Sequence, residues 1–143
     1  MNKEEKMQHL EFIQNIITRM NTNSFQLKGI TITIVCALLA VYASSGNNVL
    51  FIFLGIPPTF LFWLLDSYYL QQERKFRGVY NDVAGLKNVI EVKPYEMPIN
   101  KYTKQVDKQY SYCNVFFSKT ILWLYSIIIL LLLIMGLLLM YNC

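Results

Sequence analysis

The amino-acid sequence predicts an all-α membrane protein: three transmembrane helices, an amphipathic N-terminal helix and a small cytoplasmic element with short strands. Two observations lead to this fold class. The chain has 143 residues, of which 55% are hydrophobic and only 15% charged, whereas soluble domains carry about 25% charged residues. The apolar residues are also gathered into charge-free runs long enough to cross a bilayer core. The length permits one domain at most.

Residues 1–23 are predicted to form an amphipathic cytoplasmic helix. Apolar side chains recur every three or four residues from Met7 to Met20, the spacing of one helix face. Three positive and three negative charges balance there, which favours packing against protein, in the same or a neighbouring subunit, over lying on lipid. The polar run Asn21-Thr22-Asn23-Ser24 is expected to interrupt the helix, with Asn23 or Ser24 capping the next one.

Residues 24–65 are predicted to form a transmembrane hairpin with spans at about 25–44 and 49–65. No charge occurs between Gly29 and Leu65, and a small polar cluster at 43–48 divides this stretch. Lys28 is expected to extend its ammonium toward water. The tandem Pro57-Pro58 removes two backbone donors and should kink or break the second span. Such a break can act as a gate, or it can simply bend or restart the helix.

Residues 66–119 are predicted to form a helical extension of the second span followed by a basic cytoplasmic segment. The helix is expected to reach Arg77 or Asp82, since good helix formers continue without a breaker up to Gly78. Val89–Val92 and Tyr110–Phe117 are rich in β-favouring residues and are predicted to form a short strand pair. Residues 120–143 supply the third span, which contains 19 consecutive uncharged residues.

The distribution of charge predicts the orientation. All 13 basic residues lie in residues 1–28 and 66–119, and positive residues beside membrane spans prefer the cytoplasm. The amino terminus is therefore expected in the cytoplasm and the carboxyl terminus outside, where Cys143 could cross-link chains. No catalytic motif, metal-ligand cluster or cofactor signature is present, so we expect neither an enzyme nor a bound cofactor.

A pore would require several copies of the chain, because three helices cannot enclose a path for water. The candidate pore or gate residues are the hydroxyl, proline and carboxylate groups of the hairpin: Thr31, Thr33, Pro57, Pro58 and Asp66. A ring of Asp66 side chains would favour cations. The alternative for Asp66 is an ordinary carboxylate at the membrane surface.

A second candidate site lies in the basic segment, where lysines and tyrosines alternate. Lysines neutralise phosphates and aromatic rings stack on bases, so a nucleotide or short single strand could bind there. The alternative is a basic segment near anionic lipid. The candidate ligand-binding residues are Lys93, Tyr95, Lys101, Tyr102, Lys104 and Lys108.

Two stretches of the chain also resemble the sequences of a known protein family. They read HLEFIQNIITRMNTNSFQLKG from His9 and FLFWLLDSYYLQQERKFRGVYND from Phe60, and the similarity continues through Tyr95–Pro98 and Phe116–Thr120. The sequence resembles a family of small bacterial three-helix membrane proteins, and further resembles the membrane effectors of the Hailong anti-phage system.

That resemblance implies a homo-oligomeric channel, with a tetramer as one candidate assembly. It also implies gating by short deoxyadenylate strands that a partner nucleotidyltransferase makes. The candidate site residues rest on their chemistry and not on the resemblance. A channel gated from the cytoplasm is therefore the first functional hypothesis. The second is a non-conducting membrane adaptor that docks a cytoplasmic partner protein.

Overall fold

The computed structural model describes residues 2–142, and within that range it contains helices and no strand. The five α-helices are α1 (Lys3–Ser44), α2 (Leu50–Phe53), α3 (Ile56–Ala84), α4 (Tyr112–Phe116) and α5 (Lys119–Asn142). Two single 3-10 turns occur at Ile99–Lys101 and Lys108–Tyr110. By length and composition, α1, the α2–α3 stretch and α5 could each cross a membrane. The predicted all-α class and the three candidate spans are confirmed.

Internal contacts divide the chain into two compact units. The first, which we call the polar unit, comprises the residues up to Ser24 together with Ser67–Val115. The second, the membrane unit, comprises Phe25–Asp66 together with the residues from Phe116 onward. The polar unit holds most of the charged side chains, and the membrane unit holds the three apolar stretches.

The first helix differs from its prediction, because α1 continues without a break through Asn21–Ser24. Neither Asn23 nor Ser24 begins a new helix there. This run contains no proline or glycine, and its hydroxyl groups can be satisfied inside the helix. The Thr22 hydroxyl donates to the Thr18 carbonyl at 3.0 Å, one turn earlier. At about 1.5 Å per residue, the 42 residues of α1 extend for about 63 Å.

The second span is broken, at the position that the prolines predict. Helix α2 ends at Phe53, and α3 begins at Ile56 with Pro57 and Pro58 in its first turn. First-turn N–H groups have no partner within a helix, so proline is tolerated there. The Thr59 hydroxyl donates to the Gly55 carbonyl at 2.7 Å and satisfies one group at the break. The prolines therefore restart a helix.

Close helix packing in the membrane unit depends on two glycines. A Cβ atom at Gly136 of α5 would lie 2.6 Å from the Phe53 ring, and one at Gly55 would lie 3.0 Å from Leu132. Small residues allow membrane helices to approach in this way. The connection between α1 and α2 is a short turn, in which Gly46 and Asn47 both adopt positive φ angles, of 72° and 65°.

The predicted strand pair is absent from the described residues. The backbone N–H groups of Val89 and Ile90 donate to the Asp82 carboxylate at 2.9 and 3.2 Å, so they are not available to a strand. Residues 112–116, in the second predicted strand, form α4. The helical extension is confirmed, since α3 continues to Ala84, just beyond Asp82.

The polar unit has its own apolar core, formed by α1, the second half of α3 and the segment after it. The buried core residues are Ile13, Ile17, Phe76, Val79, Val83, Tyr102 and Tyr110. The two tyrosine rings meet edge to face at 5.5 Å. Both pack against the α3 backbone at Gly78, where a Cβ atom would lie 2.5 Å from the Tyr110 hydroxyl and 2.6 Å from the Tyr102 ring.

We expect Gly78→Ala to destabilise the polar unit by about 1–3 kcal/mol, because the added methyl group overpacks this contact. Gly29→Ala is the matched control, because Gly29 is also helical but has open space around its Cβ direction. Without a clash, alanine is the better helix former. Thermal unfolding in detergent measures both variants. Equal stability of the two would contradict the close packing at Gly78.

Candidate functional site

A buried ion pair joins two helices of the membrane unit. The Lys28 ammonium of α1 lies 2.7 Å from Asp66 Oδ2 of α3. The Tyr125 hydroxyl of α5 donates to the same oxygen at 3.1 Å. Asp66 and Tyr125 are both 0% exposed. Groups from all three long helices therefore meet at one carboxylate oxygen.

This geometry changes the expected role of two candidate pore residues. Asp66 is enclosed and paired within one chain, so its charge is not presented as a free acidic ring. Lys28 is the partner of Asp66, and its side chain remains 25% exposed. Thr31 is also buried, with its hydroxyl donating to the Leu27 carbonyl at 2.8 Å, so it faces the helix packing.

Thr33 lies on a different face of α1 from Thr31, and this face is exposed. Its hydroxyl donates to the Gly29 carbonyl at 2.9 Å. The centre of the exposed face carries only small residues at alternating spacings of four and three. They are Gly29, Thr33, Cys36, Ala40 and Ala43, all exposed. Ile30 and Val41 flank this small-residue face on one side and Ile32 on the other.

The four candidate lysines, Lys93, Lys101, Lys104 and Lys108, are all exposed. Lys101 forms an ion pair with Glu96 at 3.5 Å. The Glu96 carboxylate also accepts the Lys93 N–H, and this hydrogen bond lowers the pKa of Glu96. Tyr95 is partly exposed, and its hydroxyl donates to Gln8 at 2.7 Å. These groups present positive charge to solvent.

Tyr102 does not belong to that surface, which corrects its predicted role in stacking. Its ring is 1% exposed, and its hydroxyl donates to Asp82 Oδ2 at 2.6 Å. Burial and this hydrogen bond to a carboxylate raise the pKa of Tyr102. The same carboxylate accepts two N–H groups from residues 89 and 90. Asp82 and Tyr102 thus fix the irregular segment against α3.

The importance of Lys28 was missed by the sequence reasoning, although a signal was present. Lys28 and Asp66 are the charges that bound the long uncharged stretch of the hairpin. In an antiparallel hairpin, both ends of such a stretch lie at the same level, so opposite charges there can pair. Within the described residues, no three His, Cys, Asp or Glu side chains are grouped to hold a metal ion.

Comparison with protein-family models, with curated proteins and with solved structures finds no match to this chain.

We expect the polar unit to lose stability above about pH 10, the ordinary pKa of tyrosine. The folded-state pKa values of Tyr102 and Tyr110 are raised. Their protonated forms therefore contribute fully below the unfolded pKa, and that contribution is lost as the pH rises through the folded values. Tyr102→Phe should lower stability by about 1–2 kcal/mol at pH 8 and reduce the further loss on the alkaline side.

Denaturant unfolding at pH 8, 10 and 11 measures this dependence. Tyr68→Phe is the control, because Tyr68 is an exposed tyrosine. An alkaline loss in Tyr102→Phe as large as that in Tyr68→Phe would contradict the assignment to Tyr102.

Proposed function

We propose that this chain is the subunit of a homo-oligomeric ion channel in the bacterial cytoplasmic membrane, gated from the cytoplasm. The observation that carries the proposal is the small-residue face of α1, which is exposed in the single chain. The charge distribution supports placing the polar unit and the amino terminus in the cytoplasm and the carboxyl terminus outside.

The small-residue face is suited to contact with a second copy of the same helix. In a membrane, an apolar side chain gains little by leaving lipid for another helix. Helices therefore associate where small residues allow their backbones to approach closely. The alternating spacing of four and three is that of a left-handed helix pair. Glycine costs about 1 kcal/mol in a helix, yet nothing in the single chain lies within 4 Å of the Cβ position at Gly29. The single chain therefore does not require a glycine there, whereas a close contact with a second helix would.

Repeated contact through one face of α1 would build a ring around a central axis. Soluble homo-oligomers usually close with rotational symmetry, and a tetramer is one such ring. The lining would then consist of Thr33 hydroxyl groups and small apolar side chains. Such a narrow, weakly polar lining is suited to gating by dewetting. Thr33 is therefore the candidate pore residue that the geometry favours over Thr31.

The four exposed candidate lysines, Lys93, Lys101, Lys104 and Lys108, are the proposed receptor for the gating ligand. Their charge suits a nucleotide or short single-stranded oligonucleotide, which a partner nucleotidyltransferase of an anti-phage system would supply. Helix α3 begins at the break beside Gly55 and continues to Asp82 and Ala84, so it is the natural route for coupling. The ligand shifts the gate only if it binds the open and closed states unequally.

A non-conducting adaptor is the second candidate, and a separate observation favours it. The polar unit exposes Leu86 and Val89 at 71% and 56%. Exposed apolar side chains this close in the sequence can contribute to a surface that binds another protein. An adaptor would anchor such a partner at the membrane without conducting ions.

We expect Ala40→Leu to disrupt assembly, because a bulky side chain at the centre of the small-residue face keeps neighbouring helices apart. Val41→Leu is the matched control, since Val41 is the next residue and is exposed at the edge of the face. Mass measurement in detergent should give an oligomer for Val41→Leu and monomers for Ala40→Leu. Oxidation should also cross-link Cys36 between wild-type chains. Oligomers of equal size in both variants would contradict the interface.

We expect purified protein in liposomes to conduct ions, and Ala40→Leu to abolish that flux. A short oligodeoxyadenylate should change the wild-type flux, more strongly at low salt. Lys104→Ala/Lys108→Ala should weaken the oligonucleotide effect several-fold without changing basal flux. Lys3→Ala/Lys87→Ala removes the same charge elsewhere in the polar unit and serves as the control. An intact oligomer that passes no ions would favour the adaptor.

A further inference from the structure

We propose that Asp66, together with the hydroxyl groups of Tyr125 and Thr31, forms a binding site for a monovalent cation. In the resting protein, the Lys28 ammonium occupies this site as a tethered cation. A free ion of similar size, such as potassium or methylammonium, can take its place when Lys28 withdraws. The inference concerns binding and is independent of whether the protein conducts.

The first argument is the nature of the groups around the ammonium. The nitrogen of Lys28 lies 2.7 Å from Asp66 Oδ2, and Tyr125 donates to that oxygen at 3.1 Å. Thr31 is buried and follows Lys28 by three residues, so it lies on the same face of α1. Carboxylate and neutral oxygens are the ligands that hard cations prefer. A compact ammonium is therefore a close substitute for a monovalent ion here.

The second argument is the burial of Asp66. Its side chain is 0% exposed, as is that of Tyr125, and Thr31 is 1% exposed. A buried carboxylate without a positive partner is strongly unfavourable, because nothing replaces the lost hydration. If Lys28 leaves, the buried carboxylate should therefore bind another cation favourably. A protein that needed only stability here could use well-packed apolar residues instead.

The third argument is that Lys28 can leave. Lysine carries its charge on a flexible four-carbon stem, and the side chain of Lys28 is 25% exposed. The most apolar stretch of α1 is also the least buried of the three: 6% of it is buried, compared with 33% for the α2–α3 stretch and 22% for α5. Lys28 is thus partly exposed, and its helix carries the least buried of the three apolar stretches.

The test removes the tethered cation and supplies a free one. Purified Lys28→Ala is heated in detergent with chloride salts of methylammonium, potassium or choline at equal ionic strength. Methylammonium and potassium should raise its unfolding midpoint saturably, by about 3 °C or more at saturation. Choline, whose charge is surrounded by methyl groups and cannot approach a carboxylate closely, should not. The wild type should show no difference among the three salts.

The decisive control is Lys28→Ala/Asp66→Asn, which removes the charge that attracts the ion. Its midpoint should be the same in all three salts. The proposal is overturned if Lys28→Ala responds no more to methylammonium or potassium than to choline. It is also overturned if the double variant responds as strongly as the single one. Flux enters none of these readouts, so a failure here is distinct from a failure of the channel proposal.

A second variant keeps the test informative if Lys28→Ala does not fold. Lys28→Cys is made in a chain whose three native cysteines are replaced by serine. Reaction with an aminoethyl thiosulfonate rebuilds a side chain with a terminal ammonium, and an ethyl reagent gives a neutral control. Only the aminoethyl product should regain the wild-type midpoint. Equal midpoints for the two products would contradict a requirement for a cation at Asp66.

Discussion

The pairing of Lys28 with Asp66 is the interaction on which the membrane unit depends. Asp66 is the only acidic residue of that unit, and an unpaired charge in an apolar surrounding is expensive. In the structure, Lys28 and Tyr125 supply the positive charge and the hydrogen bond that allow this carboxylate to be buried. Since those groups belong to α1 and α5, the neutralisation of a single charge requires three helices to converge. The apolar side chains around Asp66 contribute buried area, and the ion pair fixes how the helices are aligned with one another.

The sequence alone predicted the features that depend on composition and on local chain geometry. Charge-free length identified three candidate spans, because a bilayer core demands that length. Pro57 and Pro58 located the break in the second span through the loss of two backbone donors. The helical extension to Asp82 followed from the absence of a breaker. Each of these features is decided locally and does not require knowledge of which residues meet in space.

The remaining features depend on contacts between distant residues, and there the sequence failed. The polar run at Asn21–Ser24 resembles a cap, but the helix on either side of it is stronger than the local preference. Val89–Val92 has the composition of a strand, but its N–H groups bind the Asp82 carboxylate. Tyr102 alternates with lysines along the chain, but its ring is in the core. In the last two cases, a tertiary partner overrides the local pattern, whereas at Asn21–Ser24 the surrounding helix does so.

The tight connection at Gly46 and Asn47 has a consequence for biosynthesis. With so few residues between α1 and α2, the two apolar arms cannot enter the bilayer far apart in time. If the amino terminus is cytoplasmic, as proposed, the hairpin should insert as one piece, and the segment that crosses to the far side is a short uncharged loop. A lysine or aspartate placed there would add about 2.5–3.5 kcal/mol at mid-bilayer depth. The neutrality of this loop therefore lowers the barrier to its own translocation.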